Sequence, residues 1–97
     1  MQDFEKFLET SEASLFLKLN QLAKRNIKIG DKRTSVTLEP QVWQILHDIA
    51  EEQGCTIHDL CTFVDERKSD DSSLSSAIRV FLMSYLYINL KKEQSDG

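Results

Sequence analysis

A chain of 97 residues with 40% hydrophobic and 29% charged side chains has room for one domain and not two, and its composition excludes disorder. Its net charge of -4 argues against a polyanionic partner until the distribution is read. Between Lys18 and Arg33 six cations (Lys18, Lys24, Arg25, Lys28, Lys32, Arg33) face one acid, Asp31, giving 6 - 1 = +5 and leaving -9 for the rest. A basic stripe on an acidic body still attracts a polyanion locally, because salt screens the distant repulsion.

The first segment, Gln2 to about Lys24, reads as helix, broken near Thr10–Ser11. Phe4, Phe7 and Leu8 cluster at helical spacing, and Leu15, Phe16, Leu19, Leu22 and Ala23 mark one amphipathic face. Then the period changes. Ile27 and Ile29 alternate with Asn26 and Lys28, Gly30–Asp31 is a tight-turn signal, and Arg33 to Leu38 is rich in β-branched residues. The alternation predicts a hairpin of Arg25–Ile29 with Lys32–Leu38. It turns Thr34, Val36 and Leu38 to one side and Arg33, Ser35 and Thr37 to the other.

Pro40 suits a first helical position, where its missing N–H is not needed. Val42, Trp43, Leu46, Ile49 and Ala50 follow at helical spacing until Gly54 ends the helix. Thr56-x-x-Asp59 predicts a capping box on a second helix with Ile57, Leu60, Cys61 and Val64 on its apolar face. After a polar loop, Lys68–Ser73, a long last helix carries Leu74, Ala77, Ile78, Phe81, Leu82, Tyr85 and Ile88. A second apolar side, Val80, Met83, Leu86, Tyr87 and Leu90, is more than a small monomer can cover, and predicts burial between subunits. The division read from these signals is an N-terminal helical extension (1–24), the main domain (25–90) and a polar, frayed tail (91–97).

A lone strand ahead of two helices leaves its hydrogen-bonding groups open. Antiparallel pairing with the same strand of a second copy closes them and yields a two-stranded ribbon. Such a ribbon fits the major groove of DNA, where every base pair presents a distinct pattern.

The stretch Lys32-Arg-Thr-Ser-Val-Thr-Leu-Glu-Pro-Gln-Val-Trp, followed by Gly54-Cys-Thr-Ile-His-Asp-Leu, resembles a ribbon-helix-helix domain. Lys24-Arg-Asn-Ile before it and Leu74-Ser-Ser-Ala-Ile-Arg-Val-Phe after it resemble the bacterial variant with a further C-terminal helix, and the resemblance spans roughly residues 23 to 90. It implies a mainly α fold: a homodimer with a short β-ribbon, two helices and an additional long helix. It also implies double-stranded DNA as partner, and transcriptional repression. Carried over residue by residue, it makes Arg33, Ser35 and Thr37 the outward base-reading positions, with Lys32 beside them. Thr56, Ile57 and His58, at the start of the second helix, become a phosphate site through their backbone N–H groups. From the basic stripe, and not from the resemblance, Lys24, Arg25 and Lys28 are expected as further phosphate contacts. The alternative is a protein-interaction module, antitoxin or adaptor, that docks a partner protein through its N-terminal or C-terminal helix.

Other chemistry finds little support. Cys55-x-x-His58-x-x-Cys61, even with His47 nearby, is not a zinc spacing, so no metal or cofactor is expected. No phosphate loop and no nucleophile with a partnered base are present, so no enzyme is expected. The two cysteines read as free thiols of a reducing compartment. Met1 is followed by acidic residues and not by a basic, then apolar leader, and Ala77–Leu90, with Arg79 and Asn89, is too short to span a bilayer. The expectation is a cytoplasmic protein without membrane contact.

Overall fold

The computed structural model describes residues 4–18 and 21–96. Two short helices, α1 (Phe4–Leu8) and α2 (Ser11–Lys18), precede a hairpin of β1 (Ala23–Ile29) and β2 (Lys32–Leu38). Helices α3 (Pro40–Glu52), α4 (Ile57–Arg67) and α5 (Leu74–Asp96) complete the chain. The break at Thr10 comes from its hydroxyl, which accepts a hydrogen bond from the N–H of Ala13 and so opens α2.

The N-terminal helix does not reach Lys24 as expected. It ends at Lys18, and Ala23 and Lys24 belong to β1, paired with Leu38 and Thr37. Ladder pairing there outweighs a helical periodicity that rested on Leu22 and Ala23. Leu22 is exposed, as is Leu15, and Leu19 lies outside the described residues. The hairpin turns through Gly30 at φ 59°, the conformation a two-residue loop with glycine in first place demands.

Alternation works as the sequence predicts. Ile27, Val36 and Leu38 point inward and are buried with Trp43, Leu46, Ile49 and Ala50 of α3, Leu60, Cys61 and Val64 of α4, and Ile78 and Leu82 of α5. Pro40 begins α3, and Gly54, at φ 71°, follows its end. The Trp43 indole N–H donates to the Ala23 carbonyl at 2.9 Å, so the core's largest side chain also anchors the start of β1.

Helix α5 runs through Asp96, where a frayed tail from Lys91 was expected. Lys91, Lys92, Glu93 and Gln94 are good helix formers, and no Gly or Pro interrupts them. The N–H of Ser76 donates to the Ser73 hydroxyl, capping the helix start, and Arg79 ties α5 to Glu39, the residue before α3. Two nitrogens of Arg79 reach one Glu39 oxygen at 2.8 and 2.9 Å. This bonding, with a contribution from the Glu39 backbone, holds the Glu39 carboxyl below its ordinary range. Val80, Met83, Leu86, Tyr87 and Leu90 stand exposed on the other side of α5. No helix among the described residues is long and apolar enough to cross a membrane.

Candidate nucleic-acid interface

Directly opposed residues of an antiparallel pair share a face. The pairs Lys24–Thr37, Asn26–Ser35 and Lys28–Arg33 therefore stand on the side away from the helices. Five of these six side chains are exposed, Thr37 is half-buried, and none is acidic. Arg67 pairs with Glu66 and Arg79 with Glu39, whereas Lys24, Lys28 and Arg33 make no ion pair among the described residues. The Ser35 hydroxyl donates to Asn26 Oδ1 at 3.2 Å, which fixes the amide and leaves its NH2 group as a donor.

Arg33, Ser35 and Thr37 thus share the outward face with Lys24 and Lys28. Two other candidates do not. Arg25 is opposite Val36, on the helix side, with its guanidinium 5.3 Å from the centre of the Trp43 ring. Lys32 is opposite Ile29, at the hairpin tip. Asn26 was not among the sequence candidates, although the signal was present: it shares its parity with Lys24 and Lys28 and pairs with Ser35 once Gly30–Asp31 is taken as the turn.

The two long edges of the hairpin differ. The Lys28 N–H donates to His58 Nδ1 at 3.0 Å, and the Lys28 carbonyl accepts from the Thr62 hydroxyl at 3.4 Å. These groups point outward from β1, so Lys28–Arg33 is a pair without mutual backbone bonds. By alternation the backbone groups of Arg33, Ser35 and Thr37 point outward from β2. The Thr37 carbonyl accepts from the Ser75 hydroxyl at 3.2 Å. Among the described residues the outward N–H and C=O groups of Arg33 and Ser35 have no partner. Among the described residues α4 covers the β1 edge at Lys28, and Ser75 of α5 engages the β2 edge at Thr37, which leaves β2 open at Arg33 and Ser35.

The start of α4 is internally satisfied. The Thr56 N–H donates to Asp59 Oδ2, and the Asp59 N–H donates to the Thr56 hydroxyl, both at 3.1 Å: the expected capping box. Hydrogen bonding from Thr56, its backbone N–H above all, keeps the Asp59 carboxyl below its usual range. An anionic side chain therefore already lies where a phosphate would approach Thr56, Ile57 and His58, and the His58 ring is turned to β1. Cys61 is in the core, where burial pushes its thiol up to about 11. Among the described residues no three His, Cys, Asp or Glu side chains group as metal ligands.

The sequence pattern of a known family, described as the ribbon-helix-helix domain, matches residues 22–86. The chain belongs to that family. Ribbon-helix-helix domains are in general DNA-binding regulators or antitoxins, and typically not enzymes. The match begins one residue before β1 and takes in the first half of α5, so the hairpin, α3 and α4 all lie within it. Comparison with curated proteins and with solved structures finds no match.

Proposed function

We propose that the protein is a homodimeric, sequence-specific DNA-binding protein, a bacterial cytoplasmic repressor of transcription. Strand β2 pairs antiparallel with β2 of a second copy, and the ribbon so formed enters the major groove. The observation that carries this reading is the combination, on β2, of an open edge with an outward face free of acids. Arg33 makes a bidentate contact to guanine, while Ser35 and Thr37 add shorter and less discriminating hydrogen bonds. Lys32, at the hairpin tip, lies within reach of a phosphate.

Selection from a pool of random duplexes, followed by binding at several salt concentrations, tests it. The expected result is a sequence with two-fold symmetry, bound with steep salt dependence. Arg33→Ala flattens the preference at one position in each half-site. A pool from which nothing is enriched at low salt sinks the reading.

A second reading has its own support. Phe4, Phe7, Leu15 and Leu17 on α1 and α2, and Val80, Met83 and Tyr87 on α5, are large apolar residues left exposed. They suit an adaptor or antitoxin role, in which a partner protein covers one of these helices. A stoichiometric complex that Leu15→Asp abolishes, with the fold intact, would favour it. The same substitution changing nothing but stability counts against it.

A further inference from the structure

The ribbon reading leaves open where the phosphates are held. We propose that β1 is the phosphate-gripping strand of the assembled ribbon, with Lys24 and Lys28 lying on the sugar-phosphate walls of the groove. This rests on the ribbon reading, and it follows from width.

Because β1 pairs with β2 inside one chain, two copies joined along β2 make a sheet of four strands and not two. Neighbouring strands are about 4.8 Å apart, which sets each β2 roughly 2.4 Å from the two-fold axis and each β1 roughly 7 Å from it. The major groove is about 12 Å wide, so its walls stand roughly 6 Å from the same axis. Only the central pair fits between the walls. Arg33 and Ser35 then face base edges, and the outward side chains of β1 face the backbones.

Those side chains have the chemistry such a position requires. Lys24 and Lys28 are exposed cations with no carboxylate partner among the described residues. A lysine is a point charge suited to phosphate and poor at planar recognition of a base. Between them, Asn26 accepts the Ser35 hydroxyl through its oxygen, so what it presents is a donor. The start of α4 offers a contrast, since the Asp59 carboxylate is already bonded there. The outer strand thus supplies the cations that α4 lacks.

The test compares the full chain with the double variant Lys24→Gln/Lys28→Gln. The probes are the best duplex recovered from the random pool and a random-sequence duplex of equal length. A dimer loses four cations, so the slope of log affinity against log salt should become shallower by about 3 to 4. Affinity for both duplexes should fall together, and the preferred sequence should not change. Circular dichroism and a second pair, Lys24→Ala/Lys28→Ala, separate this from misfolding. An unchanged slope with binding intact overturns the clamp and spares the ribbon reading. A changed base preference also overturns it, because β1 would then lie inside the groove, as when a single hairpin enters alone. If the native chain enriches no duplex, the ribbon reading fails and the clamp with it.

Discussion

The start of α4 and the outer face of the hairpin are both places where this chain can offer donors to a phosphate, and they differ in whether those donors are already engaged. At α4 the hydroxyl of Thr56 and the carboxylate of Asp59 bond back to the helix's own N–H groups. Across the hairpin, Lys24, Lys28 and Arg33 make no ion pair among the described residues. A capping box and an anion site need the same backbone groups, so a sequence that optimises one weakens the other. On the hairpin no such competition exists, because the outward side chains of Lys24, Lys28 and Arg33 cap nothing and carry their own charge.

Four substitutions or conditions test that contrast. Ser35→Pro should have the largest effect. It removes an N–H that points away from β1, so the hairpin is kept while pairing between copies loses a bond on each side. About 1 kcal/mol per bond, doubled by symmetry and worsened by ring clashes, weakens dimerisation roughly a hundredfold. Sedimentation at micromolar concentration reads it, and an unchanged dimer would move the interface elsewhere. Thr56→Ala comes next and should lower the unfolding free energy by about 1 kcal/mol in a denaturant titration. If it harmed DNA binding more than Lys24→Gln/Lys28→Gln does, the contrast drawn above would be reversed.

Acid is the third probe. Glu39 and Asp59 have folded pKa values below their ordinary ones. The stability they add is therefore fully present above the ordinary carboxylate range, and is lost as pH falls through the folded values. Melting curves recorded between neutral and acid pH should show that loss, and Glu39→Gln with Asp59→Asn should flatten it. The smallest effect concerns the thiols. Cys55 is half-buried and Cys61 fully buried, its thiol pushed up to about 11. A thiol reagent should label Cys55 in the folded chain and reach Cys61 only on unfolding, while equal rates would contradict the core described here.

Much of this architecture is legible in the residues. Gly30–Asp31, Pro40, and Thr56 with Asp59 mark three of the boundaries or caps the structure has. What local pattern could not supply was ladder register. Leu22 and Ala23 continue a helical stripe, yet Ala23 is needed opposite Leu38, and pairing over that distance does not register in a sequence window. Arg25 was grouped with Lys24 and Lys28 by charge, whereas its parity sends it to Trp43. His58 was expected at an anion site through its backbone N–H alone, with no role for its ring, which accepts from the Lys28 N–H through Nδ1. Each miss concerns where a polar group finds its partner, which depends on residues some ten to thirty positions away.

Covering one side of the hairpin also decides how far assembly goes. A sheet with two bare sides recruits strands without limit and ends as a fibre. Here His58 and Thr62 engage the β1 side at Lys28, which obstructs that side and leaves β2 the better joining surface for the proposed pairing. With one side obstructed, the growth that a free β-sheet invites is disfavoured beyond a pair of chains. The same pair of hydrogen bonds that seats the hairpin on α4 thus also works against open-ended strand addition.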